Sequence, residues 1–489
     1  MSVVKSLLAT SLAFGFISLA GCSSDDGDTT PPVLSNLSHT DNQKVIGDRT
    51  IGFSVDVTDE TAVTSVVITH NDVSQTVTNT SGTYSVTITL EDRTNNVIVV
   101  TANDAENTSS QTITLNYPFL ALTNGQAASV VIGQPDFDST SINQGGMPAA
   151  NTLNGPYGVK VVNNRLYVAD KENNRVLGFN SIPTTNNASA DFVIGQNSFT
   201  TDTSGYTDSE LIDPRGIASN GNDFLISHSS FGRIHYWSSV PTSNVSAEIV
   251  IGKPGFVSGS GFICAGDVFY LGVNSISIVN GKLIAADSSG NRILIWNSMP
   301  TVNGQAADLV LGQQSFINCA ANDTNDDGFS DNATASTFNS TRSLWTDGVR
   351  LVVADSLNHR VLIWNTFPIS NFQPADIVLG QPDFTTINTP ASHPIGAGGS
   401  EMNQPSDVFS NGNQLFVGES RNRVLIWDSW PTSNQQAADR VIGHIDFNGN
   451  TTGLGNNALL DFPHKVYVYN NKLFVSEGND HKVLIFEAP

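Results

Sequence analysis

Six residues occupy one recurring position in this chain, and their chemical types suit the binding of an anion. Each stands nine residues before the start of a repeated segment, and together they are Tyr157, Arg215, Asn274, Arg342, Ser406 and His464. Two guanidinium groups, an imidazole and a phenol at one site would hold a carboxylate or a phosphate through charge-assisted hydrogen bonds. The alternative is a structural role, in which these side chains hold neighbouring loops together and bind water.

The same position also admits an enzymatic interpretation. Arg215 and Arg342 would hold the anionic substrate of a lyase or hydrolase, and His464 or Tyr157 would serve as acid or base. The sequence contains no nucleophile elbow, HExxH, P-loop or paired-cysteine motif, so we favour binding without catalysis.

A loop rich in acidic and amide side chains predicts a calcium site. Its oxygen ligands would be Asp323, Asn325, Asp327, the carbonyl of Phe329, and Asp331. Calcium loops use this spacing, with a glycine, here Gly328, at the sharp turn. The twelfth place is Thr334 rather than a bidentate glutamate, so the affinity would be modest. A plain acidic surface loop is the alternative.

Two cysteines, Cys264 and Cys319, follow the tails of adjacent repeats and would lie on one face of the molecule. In an oxidising envelope compartment these thiols are expected to form a disulfide that cross-links two long loops. The third cysteine, Cys22, belongs to the N-terminal segment discussed below.

The elements that would position these residues are short strands in a repeat. Six similar segments begin at Leu166, Phe224, Leu283, Leu351, Leu415 and Leu473, for example "LIAADSSGNRILIWN" and "LVVADSLNHRVLIWN". One strand precedes each segment, and a further strand such as "ADLVLG" follows all but the last. Four strands per unit predict the blades of a β-propeller.

The ends of the repeat region complete one unit. The sixth unit stops at "VLIFEAP", and an outer strand without its own unit stands at Val130–Gly133. Pairing the two would place both ends of the region in one sheet and close the ring, which protects strand edges.

An acid and a base also recur in the repeat. The acids Asp170, Asp287, Asp355, Glu419 and Glu477 are followed by Arg175, Arg292, Arg360, Arg423 and Lys482. Recurrence in nearly every unit favours a structural role, bracing a turn or a neighbouring blade. The second unit carries His228 in place of the acid before Arg233.

The repeat resembles the NHL family of six-bladed propellers, through "GPYGVKV" and "DPRGIAS" before the first strands and "VAD" followed by "NRVL". The resemblance covers residues 118–489 and implies a central channel whose mouth is lined by the six residues named first. Peptide-amidating lyases of this fold carry several metal-binding histidines there, whereas only His464 fits. Gluconolactonase-type propellers need carboxylates around calcium, and the six residues include none.

Residues 33–117 alternate apolar and polar side chains in short runs such as "TIGFSVDVTD" and "GTYSVTITLED". Period-two runs separated by Asp, Asn, Gly and Ser predict an antiparallel β-sandwich that resembles bacterial immunoglobulin-like domains. Asp56, Asp59 and Asp104 would either gather at one end and hold calcium or merely terminate strands.

The N-terminal residues 1–21 have a lysine, a short apolar run and small residues before Cys22. The ending Leu19-Ala20-Gly21-Cys22 resembles the bacterial lipobox, which implies a lipidated Cys22 and a protein tethered to a membrane rather than spanning it. Residues 22–32 would form a flexible spacer. Ser23, in place of aspartate, is associated with the outer membrane in that resemblance.

The net charge of −23, from 22 basic and 45 acidic residues, argues against binding nucleic acid or an anionic membrane surface electrostatically. The sequence therefore predicts an all-β protein, a six-bladed propeller preceded by an immunoglobulin-like sandwich. We expect a lipid-anchored envelope protein whose variable loop face binds a protein or a glycan. Calcium is the one cofactor that the sequence suggests.

Overall fold

A computed structural model describes residues 28–45, 49–91, 95–259, 263–388, 398–448 and 457–488. The predicted signal peptide, most of the spacer and Cys22 lie outside these residues. Among the residues described, no helix has the length and apolar character needed to cross a membrane.

The chain divides into two compact units. The smaller unit comprises residues up to 43, 50–89 and 96–115, and the larger comprises 44–49, 90–95 and 116–489. Both are built almost entirely from antiparallel strands, as the alternating and repeated apolar patterns predict.

The smaller unit is built on nine strands, the last of which ends one residue beyond it. They are β1 (Val33–Ser35), β2 (Gln43–Lys44), β3 (Thr50–Thr58), β4 (Ser65–His70), β5 (Val73–Ser74), β6 (Thr78–Thr80), β7 (Thr83–Thr89), β8 (Asn96–Asn103) and β9 (Thr108–Asn116). They form two sheets, in the orders β1-β3-β7-β6 and β2-β9-β8-β4-β5. Alternate side chains of β3 and β8 are buried, as in sheets that bury one face. The immunoglobulin-like assignment stays a prediction.

The larger unit contains six four-stranded sheets among the residues described. The first four are β11 to β14 (Pro156–Val162, Arg165–Asp170, Arg175–Phe179, Phe192–Ile194), β15 to β18 (Pro214–Ser219, Phe224–His228, Arg233–Trp237, Ile249–Ile251), β19 to β22 (Val273–Val279, Lys282–Asp287, Arg292–Trp296, Leu309–Leu311) and β23 to β26 (Thr341–Thr346, Leu351–Asp355, Arg360–Trp364, Ile377–Leu379). The fifth is β27 to β30 (Pro405–Ser410, Leu415–Glu419, Arg423–Trp427, Arg440–Ile442). Short 3-10 helices occur at Ile142–Gly145, Lys171–Asn173 and Ser356–Asn358. This arrangement is consistent with a β-propeller.

The sixth sheet combines the two ends of the repeat region. Its strands β31 (Pro463–Tyr469), β32 (Lys472–Glu477) and β33 (Lys482–Glu487) are joined by β10 (Val130–Ile132). Val130 pairs with Ile485 and Ile132 with Val483 in antiparallel register. The pairing inferred from the incomplete sixth unit is therefore present in the structure.

The core of the larger unit lies between neighbouring sheets. Every residue of β25 is buried, because side chains on both faces of this strand pack against other sheets. A glycine after each outer strand permits this packing. Gly195 has φ +89°, and a Cβ there would lie 2.5 Å from the Cγ atom of Leu211.

The recurring acid and base form buried ion pairs. Arg175 Nε lies 2.7 Å from Asp170 Oδ2, and the pairs Asp287/Arg292 and Asp355/Arg360 repeat this geometry at 2.8 and 2.7 Å. Each of these arginines also donates to the carbonyl of the phenylalanine that ends its repeat, as Arg292 Nη1 does to Phe316 at 2.6 Å. The pairs thus anchor the connecting loops, and the structural interpretation of them agrees with this geometry.

Candidate binding pocket at the first strands

Four of the six residues at the recurring position line one cavity of about 450 Å³, called the mouth pocket below. Its lining residues are Gly155, Tyr157, Lys171, Glu172, Arg215, Arg342, His464, Gly478, Asn479 and His481. The convergence of Tyr157, Arg215, Arg342 and His464 gives the predicted combination of guanidinium, phenol and imidazole groups in one place.

The strands position these side chains through a shared irregularity. Each of the four is the second residue of a first strand, directly after a residue that pairs with the end of the following strand, as Pro156 pairs with Asp170. The pairing register then shifts before it resumes, for example between Pro156 and Val159. Such a bulge turns a side chain out of the regular alternation, and it occurs in all six sheets described, including those of Asn274 and Ser406.

Arg215 is held by three neighbours. Its Nη1 donates to Asn274 Oδ1 at 2.7 Å, its Nε lies 3.6 Å from Asp213 Oδ1, and its guanidinium carbon lies 5.1 Å from the centre of the Tyr157 ring. These contacts fix the orientation of the guanidinium and leave its charge partly compensated.

Arg342 is the uncompensated cation of the pocket. Its guanidinium carbon lies 5.5 Å from the centre of the Phe462 ring. Among the residues described, no carboxylate forms an ion pair with Arg342. A half-buried guanidinium that faces a cavity without an acid is a natural anion ligand.

His464 lies between two aromatic rings, with ring centres 5.1 Å from those of Tyr157 and Phe462. Burial, followed by the charges of Arg342 and Arg215, lowers the pKa of His464 to about 3, although a hydrogen bond to the Pro156 carbonyl opposes the shift. The imidazole is therefore neutral at pH 7, and its buried Nδ1 has no hydrogen-bond partner.

Asn274 and Ser406 do not line the mouth pocket. Asn274 is buried and orients Arg215, whereas the buried Ser406 hydroxyl donates to the carbonyl of Pro463. These two side chains support the pocket from behind instead of facing it.

Sequence reasoning did not find the pocket residues contributed by the turns after the second strands. Lys171 and Glu172 follow β12, and Lys171 Nζ lies 3.4 Å from Asp213 Oδ1. Gly478, Asn479 and His481 follow β32. These residues could have been predicted from the antiparallel pairing of each first strand with the second. That pairing brings the end of β12, and the turn after it, beside Tyr157.

A second polar group lies deeper along the first strands. Lys465 Nζ contacts Ser275 Oγ at 3.1 Å, Ser343 Oγ at 3.0 Å and Asp407 Oδ1 at 2.5 Å. Lys160 lies 5.0 Å from the centre of the Tyr467 ring, and burial followed by the charge of Lys465 lowers its pKa to about 8. Lys465 thus has a buried carboxylate partner, whereas the ion pairs of the described residues include none for Lys160.

The loop predicted to bind calcium folds around its first aspartate. Asp323 is 1% exposed, and its Oδ1 accepts the amides of Asn325 and Asp326 at 3.0 and 2.8 Å. Its Oδ2 accepts the amide of Gly328 at 2.8 Å. Asp327 and Asp331 accept amide hydrogen bonds within the same loop. Calcium binding by Asp323, Asn325, Asp327, Phe329 and Asp331 stays a prediction.

The disulfide prediction is confirmed. Cys264 and Cys319 are bonded, with their Cα atoms 6.1 Å apart. The bond joins the loops that follow the second and third sheets, and a disulfide is typical of proteins outside the reducing cytoplasm.

The second sheet departs from the recurring ion pair. His228 takes the place of the acid, lies with its ring centre 4.3 Å from that of His235, and is fully buried. Burial, followed by the charge of Arg233, lowers the pKa of His228 to about 3. Arg233 keeps its bonds to the carbonyls of Phe256 and Ser258 and stacks on Tyr206, but its Nε has no partner.

One family model matches a short part of this chain. The model of the NHL repeat matches residues 153–179, which span the first three strands of the first sheet. No curated protein sequence matches the chain.

Several solved structures match the chain at low sequence identity. A structural genomics protein of unknown function from Bacteroides thetaiotaomicron is 12% identical, with 94% of this chain and 99% of that chain covered and a TM-score of 0.42. A putative phosphatase from the same organism is 11% identical, covers 94% and 97%, and gives a TM-score of 0.40. The computationally designed protein Ika8 is 9% identical over 74% of this chain and 99% of its own, with a TM-score of 0.36.

Proposed function

We propose that the six sheets form a closed six-bladed propeller that serves as a binding scaffold and captures an anionic group of its partner in the mouth pocket. The closed ring is supported by the contacts between first strands. Each touches the first strand of the next sheet, and β31 touches β11. The pairing of β10 with β33 and the NHL repeat match support the same arrangement.

The observation that carries the binding function is the free guanidinium of Arg342 beside Arg215 in a cavity of about 450 Å³. The chain has a net charge of −23, so an exposed cationic pocket contrasts with its surroundings. A carboxylate or phosphate would accept hydrogen bonds from both arginines, and Tyr157 would add a phenolic donor.

Binding is favoured over catalysis by the state of His464. With a pKa of about 3, the imidazole is neutral at pH 7, so it is not available as an imidazolium general acid and is a weak base. One observation supports the alternative of a lyase or hydrolase. The side chains of Tyr157, Arg215, Arg342 and His464 line one cavity.

The partner is proposed to be a protein or glycan that reaches the mouth pocket with an acidic group. We further propose that a lipidated Cys22 anchors the protein to the outer membrane, on the basis of the lipobox-like sequence and Ser23. The Cys264–Cys319 disulfide is compatible with an extracytoplasmic location. Radiolabelled palmitate incorporation that disappears in Cys22→Ser tests the anchor.

Calorimetric titration with small carboxylates and phosphates tests the pocket. Loss of a charge-assisted hydrogen bond is worth about 1.5–3 kcal/mol, so Arg342→Ala should weaken binding roughly 10-fold to 150-fold. Arg440→Ala is the matched control, because that arginine is paired with Asp428 at 2.7 Å and does not line the cavity. Equal affinity of wild type and Arg342→Ala for every anion that binds would contradict the proposal. Turnover of a bound anion, lost in His464→Gln, would favour the enzyme instead.

A further inference from the structure

Three aspartates from separate segments of the smaller unit converge at one end of its sheets. Asp28 precedes β1, Asp59 directly follows β3, and Asp104 directly follows β8. One carboxylate oxygen from each lies within 4.8 Å of the others. The group, called the aspartate cluster below, therefore joins the N-terminal segment to a strand end of each sheet.

Two oxygens of the aspartate cluster are buried and unpaired. Asp104 is only 5% exposed, and its Oδ1 accepts the amides of Glu106 and Asn107 at 2.5 and 2.6 Å. Its Oδ2 is buried without a hydrogen-bond partner, and so is Asp59 Oδ2. Burying an oxygen of an ionised carboxylate without a partner is unfavourable, and a bound water or ion would supply the partner that these two atoms lack.

Hydrogen bonds within the protein do not neutralise this group. The Thr61 hydroxyl lies 2.9 Å from Asp28 Oδ2 and 2.7 Å from Asp59 Oδ1, but its single proton serves one of them at a time. Among the residues described, no lysine or arginine forms an ion pair with any of the three aspartates. A cation from solution would compensate three converging carboxylates and keep all of them ionised, whereas without a cation their repulsion favours protonation.

We propose that Asp28, Asp59 and Asp104 form a calcium site in the smaller unit. All three ligands are oxygens, which selects a hard cation over zinc or copper. Calcium accepts six to eight oxygens in irregular geometry, whereas magnesium requires near-octahedral coordination, so a site assembled from three loops suits calcium. The bound ion would tie the N-terminal segment and both sheets together. This site is independent of the mouth pocket.

The aspartate cluster differs in one member from the three aspartates considered in the sequence analysis, because Asp28 takes the place of Asp56. Both oxygens of Asp56 are already used, by Thr83 Oγ1 at 2.6 Å and Asn36 Nδ2 at 2.9 Å. Asp56→Asn therefore provides a matched control, an aspartate of the same unit that lies outside the aspartate cluster.

The test is calcium titration of the full-length protein after chelator treatment, with calorimetry for affinity and equilibrium dialysis for stoichiometry. Asp104→Asn keeps the shape of the side chain and removes its charge, and it should lose one bound calcium or weaken that binding at least 10-fold. Asp56→Asn should bind as the wild type does. Asp323→Asn, which alters the other calcium loop, should keep the calcium that Asp104→Asn loses.

The second variant is Asp59→Asn, whose partly exposed side chain is less important for folding and should show the same loss. Circular dichroism and thermal unfolding in chelator establish that each variant is folded before titration. Wild-type stoichiometry and affinity in a folded Asp104→Asn or Asp59→Asn would overturn the proposal. The proposal would also be overturned if the wild type bound no calcium at millimolar concentration. The same holds if the wild type bound a single calcium and the Asp323→Asn variant bound none.

Discussion

Removing the acid of one recurring ion pair should destabilise the larger unit strongly, and Asp355→Ala is the sharpest case. The Arg360 guanidinium is fully buried, with Nε 2.7 Å from Asp355 Oδ2 and Nη1 and Nη2 on the carbonyls of Phe384, Thr334 and Thr337. Deleting the carboxylate leaves a buried charge held by carbonyls alone. Breaking a buried pair in this way costs about 3–5 kcal/mol.

The magnitude can be compared within the same unit. Asp428 pairs with Arg440 at a similar distance of 2.7 Å, but these side chains are 26% and 27% exposed. Solvent screens such a pair, so Asp428→Ala should cost about 1 kcal/mol or less. Thermal unfolding followed by circular dichroism measures both. At roughly 2 °C per kcal/mol for a large unit, the melting temperature should fall by about 6–10 °C in Asp355→Ala and by about 2 °C in the control.

A double substitution separates charge from packing. In Asp355→Leu/Arg360→Met, both charges are replaced by apolar side chains, and replacement of a whole buried pair is often nearly neutral. The double variant should therefore recover a large part of the stability that Asp355→Ala loses. The reasoning would be refuted by equal melting temperatures for Asp355→Ala and Asp428→Ala, or by a double variant less stable than Asp355→Ala.

Three further predictions concern other parts of the larger unit. The pKa of His228 is about 3 in the folded protein and near 6.5 in the unfolded chain. The neutral imidazole therefore stabilises the fold fully above pH 6.5, and this contribution is lost as the pH falls toward 3. Between pH 7 and pH 5 the free energy of unfolding, measured with denaturant, should fall by about 2 kcal/mol less in His228→Gln than in the wild type. Gly312→Ala should destabilise by about 2 kcal/mol or more, because φ is +88° and the new Cβ would lie 2.1 Å from Phe338 Cδ2; an unchanged melting temperature would contradict this. Replacing both Cys264 and Cys319 with serine should cost about 2–4 kcal/mol, measured as the difference from the wild type under non-reducing conditions and absent when both are reduced.

The strand pairing of the larger unit was open to prediction because the sequence repeats. The outer strand at Val130 belongs to no complete unit, and the last unit ends at Glu487 without an outer strand. The repeat therefore predicts that these two strands pair, with Val130 opposite Ile485 as in the structure. The convergence of Arg342 and His464 was predictable for the same reason, since equivalent positions in a radial repeat lie near one axis.

Contacts between positions that are not equivalent could not be predicted in this way. Lys465 and Asp407 are both third residues of their first strands, but Lys160, whose charge interacts with that of Lys465, is the fifth residue of β11. The proximity of Lys160 to Lys465 depends on how far each side chain extends into the interior, which spacing does not encode. Asp28 was overlooked because its surroundings, "SSDDGDTTPP", have the composition of a spacer.

Repetition and accessibility together separate structural residues from candidate binding residues in this chain. The acid at the end of the second strand recurs in five units, and where paired with arginine it is wholly buried, so its role is to hold loops. The second residue of the first strand differs in every neighbouring unit, and four of its six side chains face a cavity.

Variation alone is not sufficient, as His228 demonstrates. His228 replaces the acid that the other five units share, but it is fully buried and contacts only the protein. A solute cannot reach His228 without opening the sheet, whereas Arg342 meets solvent with an unpaired charge. A residue that differs between units therefore indicates binding only where its side chain also faces a cavity. In the larger unit, the residues of the mouth pocket meet both conditions.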